Sequence, residues 1–185
     1  MIKIIKKKNY YYFFENNKEI TTTFNNLIRV KDEKVAIALC KYLKLCFKSK
    51  SKIKKYFLGI LYFSFDLDKE KKTKIIDNII SFLNTDLLCY RAKKNSELDT
   101  IQKKLWNPLI DFVEKEYKLS FNTTNGIIPI NQKQSNKNKL LKILKKLNRH
   151  QLTGFYYITN FSNSNIITLN FLANNINFKK IWKAL

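Results

Sequence analysis

Thr85-Asp86-Leu87-Leu88-Cys89-Tyr90-Arg91-Ala92 opens the stretch on which the reading of this chain turns. It continues through Trp106-Asn107-Pro108-Leu109-Ile110-Asp111 and closes with Gly126-Ile127-Ile128-Pro129-Ile130-Asn131-Gln132. Between its first and second blocks a long helical pattern begins. Leu98, Ile101, Leu105, Leu109, Phe112 and Val113 hold the period of one helix face from Ser96 to Tyr117. Ser96 suits the N-cap, with Asp99 three residues on. Pro108 lacks an N–H, so a kink or break is expected there. Asp86 to Tyr90 is short and apolar and reads as a buried extended segment. Leu119 to Thr123 reads as a strand, and Gly126 and Pro129 bracket a turn-rich loop.

Upstream, the chain reads as sheet-rich. Lys3 to Thr23 is a hairpin pattern: aromatic Tyr10 to Phe14, turn residues Glu15-Asn16-Asn17-Lys18, then a return through Glu19 to Thr23. Leu27 to Val30 adds a strand. Asp32 to Ser49 reads as a helix capped by Asp32, with Val35, Leu39, Leu43 and Cys46 as its stripe, widened by Ile37 and Phe47. Tyr56 to Leu67 reads as a buried strand or turn. Lys69 to Asn84 is an amphipathic helix on Ile75, Ile76, Ile79, Ile80 and Leu83. Downstream of Ser135 the chain reads as helices separated by Asn-rich breaks: 138–148, 152–161, 164–173 and 178–184. The expected boundary falls between residues 84 and 85, giving a β-rich 1–84 with two helices and a helical 85–185.

The chain has 185 residues, 45% hydrophobic and 14% aromatic, enough apolar material for a real core. Its formal net charge of +22 suggests nucleic acid, an anionic surface or an acidic protein as partner. The same residues, Lys, Asn, Ile, Phe and Tyr, are those of AT-rich codons, so the charge reads mainly as compositional drift. Three cysteines at irregular spacing form no disulfide framework, and Cys40 and Cys46 read as small buried apolar groups. No apolar run approaches the ~20 residues of a membrane span. The N-terminus does not resemble a secretory signal.

Catalysis finds no support. With three glycines the chain has neither a P-loop nor a GxGxxG or GxSxG motif. The one histidine, His150, reads as a group at a basic helix end, and Asp66 and Asp68 lack a third metal ligand. No catalytic, cofactor or metal residue is assigned. Arg91 stands out in a chain that prefers lysine. A planar, bidentate partner would require arginine, either in a structural salt bridge or in contact with a partner.

The three blocks together resemble the signature of the assembly chaperones for the α subunit of the ATP synthase catalytic head, found in mitochondria and α-proteobacteria. In that family the first block precedes a helix carrying Trp-Asp-Pro, and here Asn107 stands for the Asp. A Gly-Ile-x-Pro-Val-x-Gln motif follows, matched from Gly126 to Gln132 with Ile130 for Val. The match is good over 75–132 and weak elsewhere. The family's Gly-Arg-Pro-x-x-Thr-Pro hairpin survives only as Asn17 to Thr23. An acidic helix that follows the equivalent of Trp182 has no counterpart.

The resemblance implies an α+β fold, a small antiparallel β domain followed by an orthogonal helical bundle. It implies a chaperone without enzymatic activity or cofactor, binding the unassembled α subunit. The family-motif residues carried over are Asp86, Tyr90, Arg91, Trp106, Pro108, Gly126, Pro129 and Gln132, structural or partner-binding. Arg91 and Trp106 are expected near the junction of the two halves, and the helix around Ile181 and Trp182 is expected to be loosely docked. A monomer is expected, in the cytoplasm of an AT-rich α-proteobacterium or endosymbiont, or alternatively in a mitochondrial matrix. The competing reading is a basic RNA-binding protein. Against it, Tyr10 to Phe14 are contiguous, so about half must point inward. Any nucleic-acid affinity is expected to be weak and non-specific.

Overall fold

The computed structural model describes residues 2–185, which divide into two compact units, 2–68 and 69–185. The fold is α+β, as expected.

In the first unit, β1 (Ile2–Lys7) and β2 (Tyr10–Glu15) pair antiparallel, and β2 also pairs with β3 (Lys18–Glu19) and β4 (Arg29–Val30). The turn between β2 and β3 is the one read from sequence. Asn16 and Asn17 both take positive φ, which asparagine tolerates and which matches the twist of a two-residue hairpin. α1 (Glu33–Lys48) starts at Asp32, whose carboxylate accepts the Val35 N–H at 2.9 Å. Its buried stripe is Ala36, Cys40, Leu43 and Cys46. Val35, Ile37 and Phe47, expected inside, are exposed. Sheet residues Ile2, Phe13, Ile20 and Ile28 close the core with α1 and Phe65.

Phe65 ends α2 (Lys52–Phe65), a helix where a buried strand or turn was expected over Tyr56–Leu67. Leu58, Leu61, Tyr62 and Phe65 sit at i, i+3, i+4 and i+7, and it is these that meet the core. Beyond the helix, Asp66 is buried and accepts from Thr22 Oγ1 (2.5 Å) and Asn26 Nδ2 (2.8 Å), tying down the loop before β4.

The second unit begins one helix earlier than expected. α3 (Lys69–Ser81) buries Ile75, Ile76 and Ile79 against α5 (Gln134–Lys146) and α6 (Arg149–Ser162), so it belongs with the bundle. Leu87–Cys89 forms a single 3-10 turn where an extended segment was expected, and β5 (Tyr90–Arg91) follows. α4 (Glu97–Tyr117) runs without a break through Pro108. The strand expected over 119–123 is instead β6 (Thr124–Asn125), parallel to β5. α7 (Asn165–Leu172) is buried along nearly its whole length, packed by α4 and α6, and α8 (Phe178–Ala184) packs on α4. His150 lies in the first turn of α6, not at a helix C-terminus.

Among the described residues no helix is long and apolar enough to cross a membrane, and no group of three or more His, Cys, Asp or Glu could hold a metal ion.

Candidate functional site

The first motif block is a tie-point of the bundle. Asp86 is fully buried. Its Oδ1 accepts from Ser164 Oγ at 2.7 Å and from the Leu88 N–H at 3.2 Å; Oδ2 accepts from the Ile166 N–H at 3.1 Å. Ser164 is the N-cap of α7, so the carboxylate sits at the positive end of that helix. Leu87 N–H adds a bond to Asn163 O at 2.9 Å. Burial pushes the Asp86 carboxyl up to about 6, and the Ser164 hydroxyl and the N–H groups of Ile166, Leu88 and Asn165 pull it back. Cys89 beside it is buried, and burial pushes its thiol up, so it packs as a thiol.

Arg91 and Trp106 form the second part. The guanidinium lies 5.0 Å from the indole ring centre, and Arg91 Nη2 donates to Asn107 Oδ1 at 2.9 Å. The partner is thus a neutral amide, not the carboxylate expected for Arg91. Asp99 is buried nearby, receiving the Asn95 N–H (3.0 Å) and Lys103 Nζ (2.7 Å) on Oδ2, and Lys103 holds it below the usual carboxylate range. Arg91 Nη1 and Asp99 Oδ1 are both buried without a hydrogen-bond partner. The two residues attract through space, and this partly offsets the burial that lowers the Arg91 guanidinium. Trp106 Nε1 donates to Ala184 O at 2.7 Å. These partners all lie within the second unit, so neither residue is assigned to a junction between halves. α8 is also seated more firmly than expected, with Ile181 and Ala184 buried.

The third block is a loop pinned on both flanks. Gly126 N–H donates to Arg91 O at 2.9 Å from a backbone with φ +105°, a region that other residues rarely adopt. Gln132 exchanges two bonds with the Asn122 backbone, both at 2.9 Å, and its own N–H reaches Asn84 Oδ1 at 2.9 Å. Tyr90 OH donates to Asn84 O (2.6 Å) and accepts from Ile130 N–H (3.3 Å). Pro108 and Pro129 are exposed. Gly126→Ala is expected to destabilise the fold by roughly 1–3 kcal/mol through backbone strain alone, since an added Cβ meets open space. A urea midpoint that does not move would show that the loop relaxes instead.

What this framework holds outward is apolar. Ile127 at the loop tip is 95% exposed, and Ile128 beside it is also bare. Along α4, Trp106, Leu109, Ile110 and Val113 face the core, whereas Leu98, Ile101 and Leu105, expected on that same buried face, form a second stripe in solvent. The stripe leads into a groove of about 630 Å³ floored by Leu105, Pro108, Phe112 and Ile176, with Lys104 and Lys183 among its lysines. On α8, Phe178 and Trp182 are exposed and stack on each other at 6.4 Å.

A family model described as ATP12 chaperone protein matches residues 4–114. The chain belongs to the ATP12 chaperone family. The match starts in β1, where the motifs are weakest, and stops before the Gly126 block. Among solved structures, Atp12 from Paracoccus denitrificans superposes with TM-score 0.86 at 20% identity, over 97% of this chain and 77% of that one. A point mutant of the same protein gives 0.85 with the same coverage. A candidate chaperone from Agrobacterium tumefaciens gives 0.85 at 16% identity, over 99% of this chain and 69% of that one. These likenesses establish an Atp12 fold over 97–99% of the chain. The family model takes in the first two motif blocks and bears out the family resemblance; the Gly126 block lies outside it.

Proposed function

We propose that this chain is an assembly chaperone for the ATP synthase catalytic head, which holds the unassembled α subunit and keeps it from aggregating until the β subunit takes its place. Family membership supports the class of activity. The observation that carries the client reading is the bare stripe of Leu98, Ile101 and Leu105 on α4 of a chain otherwise dense in lysine. Contiguous exposed apolar side chains on a soluble protein mark a binding surface. A free subunit with a large obligate interface is apolar and prone to aggregate, and needs such a surface as cover. The lysines around the groove speed encounter with an acidic partner, while apolar burial supplies the affinity. The chaperone acts as a monomer without cofactor, in the compartment where the catalytic head is assembled: the cytoplasm, or alternatively a mitochondrial matrix.

Co-expression with the α and β subunits separately, followed by pull-down at low and moderate salt, tests this. Capture of α that persists at moderate salt and is displaced by β is the expected result. Leu98→Asp with Ile101→Asp should abolish capture without unfolding the chaperone, because both residues are about half exposed. Capture of β but not α, or loss of all binding on a modest rise in salt, would sink the reading.

A further inference from the structure

The outer face of the four-stranded sheet has no role in client binding as proposed above. Alternation along β2 sends Tyr11 and Phe13 into the core beneath α1 and leaves Tyr10, Tyr12 and Phe14 on the opposite side. Their cross-strand partners in β1 are Lys7, Ile5 and Lys3, and Arg29 of β4 stands opposite Tyr12. Lys3, Ile5, Lys7, Arg29 and Lys31 are all exposed. Every ring carries a cation. Lys7 Nζ lies 4.7 Å from the Phe14 ring centre and 5.4 Å from that of Tyr12. The Arg29 guanidinium lies 4.5 Å and Lys31 Nζ 5.4 Å from that of Tyr10. An acid also meets the face: Glu19 lies 3.8 Å from Lys7.

We propose that this face binds single-stranded nucleic acid without sequence preference, bases stacking on Tyr10, Tyr12 and Phe14 while Lys3, Lys7, Arg29 and Lys31 pair with phosphates. Rings at every second residue of a strand recur about 6.6–6.8 Å apart on one face, so a single strand can step from one to the next. Contiguity of the five aromatics hid this in the sequence. Sending half of them inward is what leaves the other half ordered as a platform. A duplex keeps its base faces stacked internally and cannot use the rings. An acidic peptide would engage the cations and leave the rings idle. The groups that read bases elsewhere, amide side chains aimed at base edges, are missing from the residues named here, hence no sequence preference.

The test is fluorescence anisotropy of a labelled oligo-dT of about 12 nucleotides against the full chain at two salt concentrations. Competitors are a duplex of equal length and heparin, a polyanion without bases. Expected is micromolar binding with a slope of log K on log salt of roughly −2 to −3, from four phosphate contacts on a single strand. Tyr10→Ala and Tyr12→Ala should each weaken binding roughly tenfold and leave the slope unchanged. Lys7→Gln and Arg29→Gln should each lower the slope by about 0.7. Tyr10→Phe should bind as the wild type does, which separates stacking from loss of the fold; the Tyr12 hydroxyl is left in place because it accepts from Arg29 Nη1 at 3.2 Å. Equal competition by heparin and duplex, with no effect of the tyrosine changes, would reduce the face to a charge patch and overturn the proposal. Absence of binding at low salt, or strong preference for one sequence, would also overturn it.

Discussion

Asp86→Ala should destabilise the protein by about 2–4 kcal/mol at neutral pH, and by more at pH 5. Two opposing effects set the size. The substitution strands three buried donors, Ser164 Oγ and the N–H groups of Leu88 and Ile166, at roughly 1–3 kcal/mol each. It also removes a charge whose burial pushes the carboxyl up to about 6 from an ordinary value near 3.8. That shift of about two units is worth roughly 3 kcal/mol of relief. The pH dependence follows from the direction of the shift. Between about pH 4 and 6 the folded state holds a proton on Asp86 that the unfolded chain has released. This group's contribution is therefore fully present below about pH 4 and is lost as pH rises toward 6. The alanine variant lacks that gain, so its deficit against the wild type widens on going from pH 7 to pH 5. Urea titrations of both proteins at the two pH values measure it. A deficit that is constant with pH would mean that Asp86 stays ionised throughout, held by its three donors.

The parts of this fold that were legible in the sequence are those where a pattern repeats. α3, α5 and α6 carry apolar residues at helical spacing over three or more turns, and their extents agree with the reading to within a few residues. The Asn16-Asn17 turn was legible because few residues accept its backbone. α2 was not, because its apolar run from Tyr56 to Phe65 is interrupted by a single polar side chain, Ser64, itself buried, which does not expose the period. β5 and β6 were not, because two residues carry no alternation, and a parallel pair joining residues 90–91 to 124–125 depends on distant partners. The boundary at residue 68 turns on where the isoleucines of α3 are buried, which is a tertiary fact.

The candidate site was half legible. Its motif residues were found, but their role as a scaffold was visible only once Asp86 met Ser164, and Trp106 met Ala184. Leu98, Ile101 and Leu105 have the right period for a core stripe, yet α4 has two apolar stripes and a sequence does not say which one is covered. Asn107 shows the limit of a family motif. Where the family has an aspartate, this chain offers Arg91 a neutral acceptor at 2.9 Å and leaves Nη1 unpaired.

Trp106→Ala should destabilise the protein by roughly 3–5 kcal/mol, the range for deleting a large buried aromatic from a core. Three losses converge on this residue. The indole is almost fully buried on the inner face of α4 beside Leu109 and Ile110. It carries the Arg91 guanidinium at 5.0 Å, and with the ring gone that buried cation keeps the amide of Asn107 as its hydrogen-bond partner and only the through-space attraction of Asp99. Its N–H also holds the Ala184 carbonyl at 2.7 Å, which anchors α8. Trp106→Phe separates these effects. It retains most of the apolar contact and a face for Arg91, but it cannot donate to Ala184 and should cost only about 1 kcal/mol. Hydrogen exchange localises the difference. In the wild type, amides of residues 181–185 that bond within α8 should be protected, because Ile181 and Ala184 are buried. In Trp106→Phe those amides should open faster while α7 stays slow, since its anchor is Asp86. Fast exchange across 178–185 in the wild type would mean that the bond to Ala184 does not hold α8. An unchanged denaturation midpoint in Trp106→Ala would mean that this tryptophan does not support the bundle.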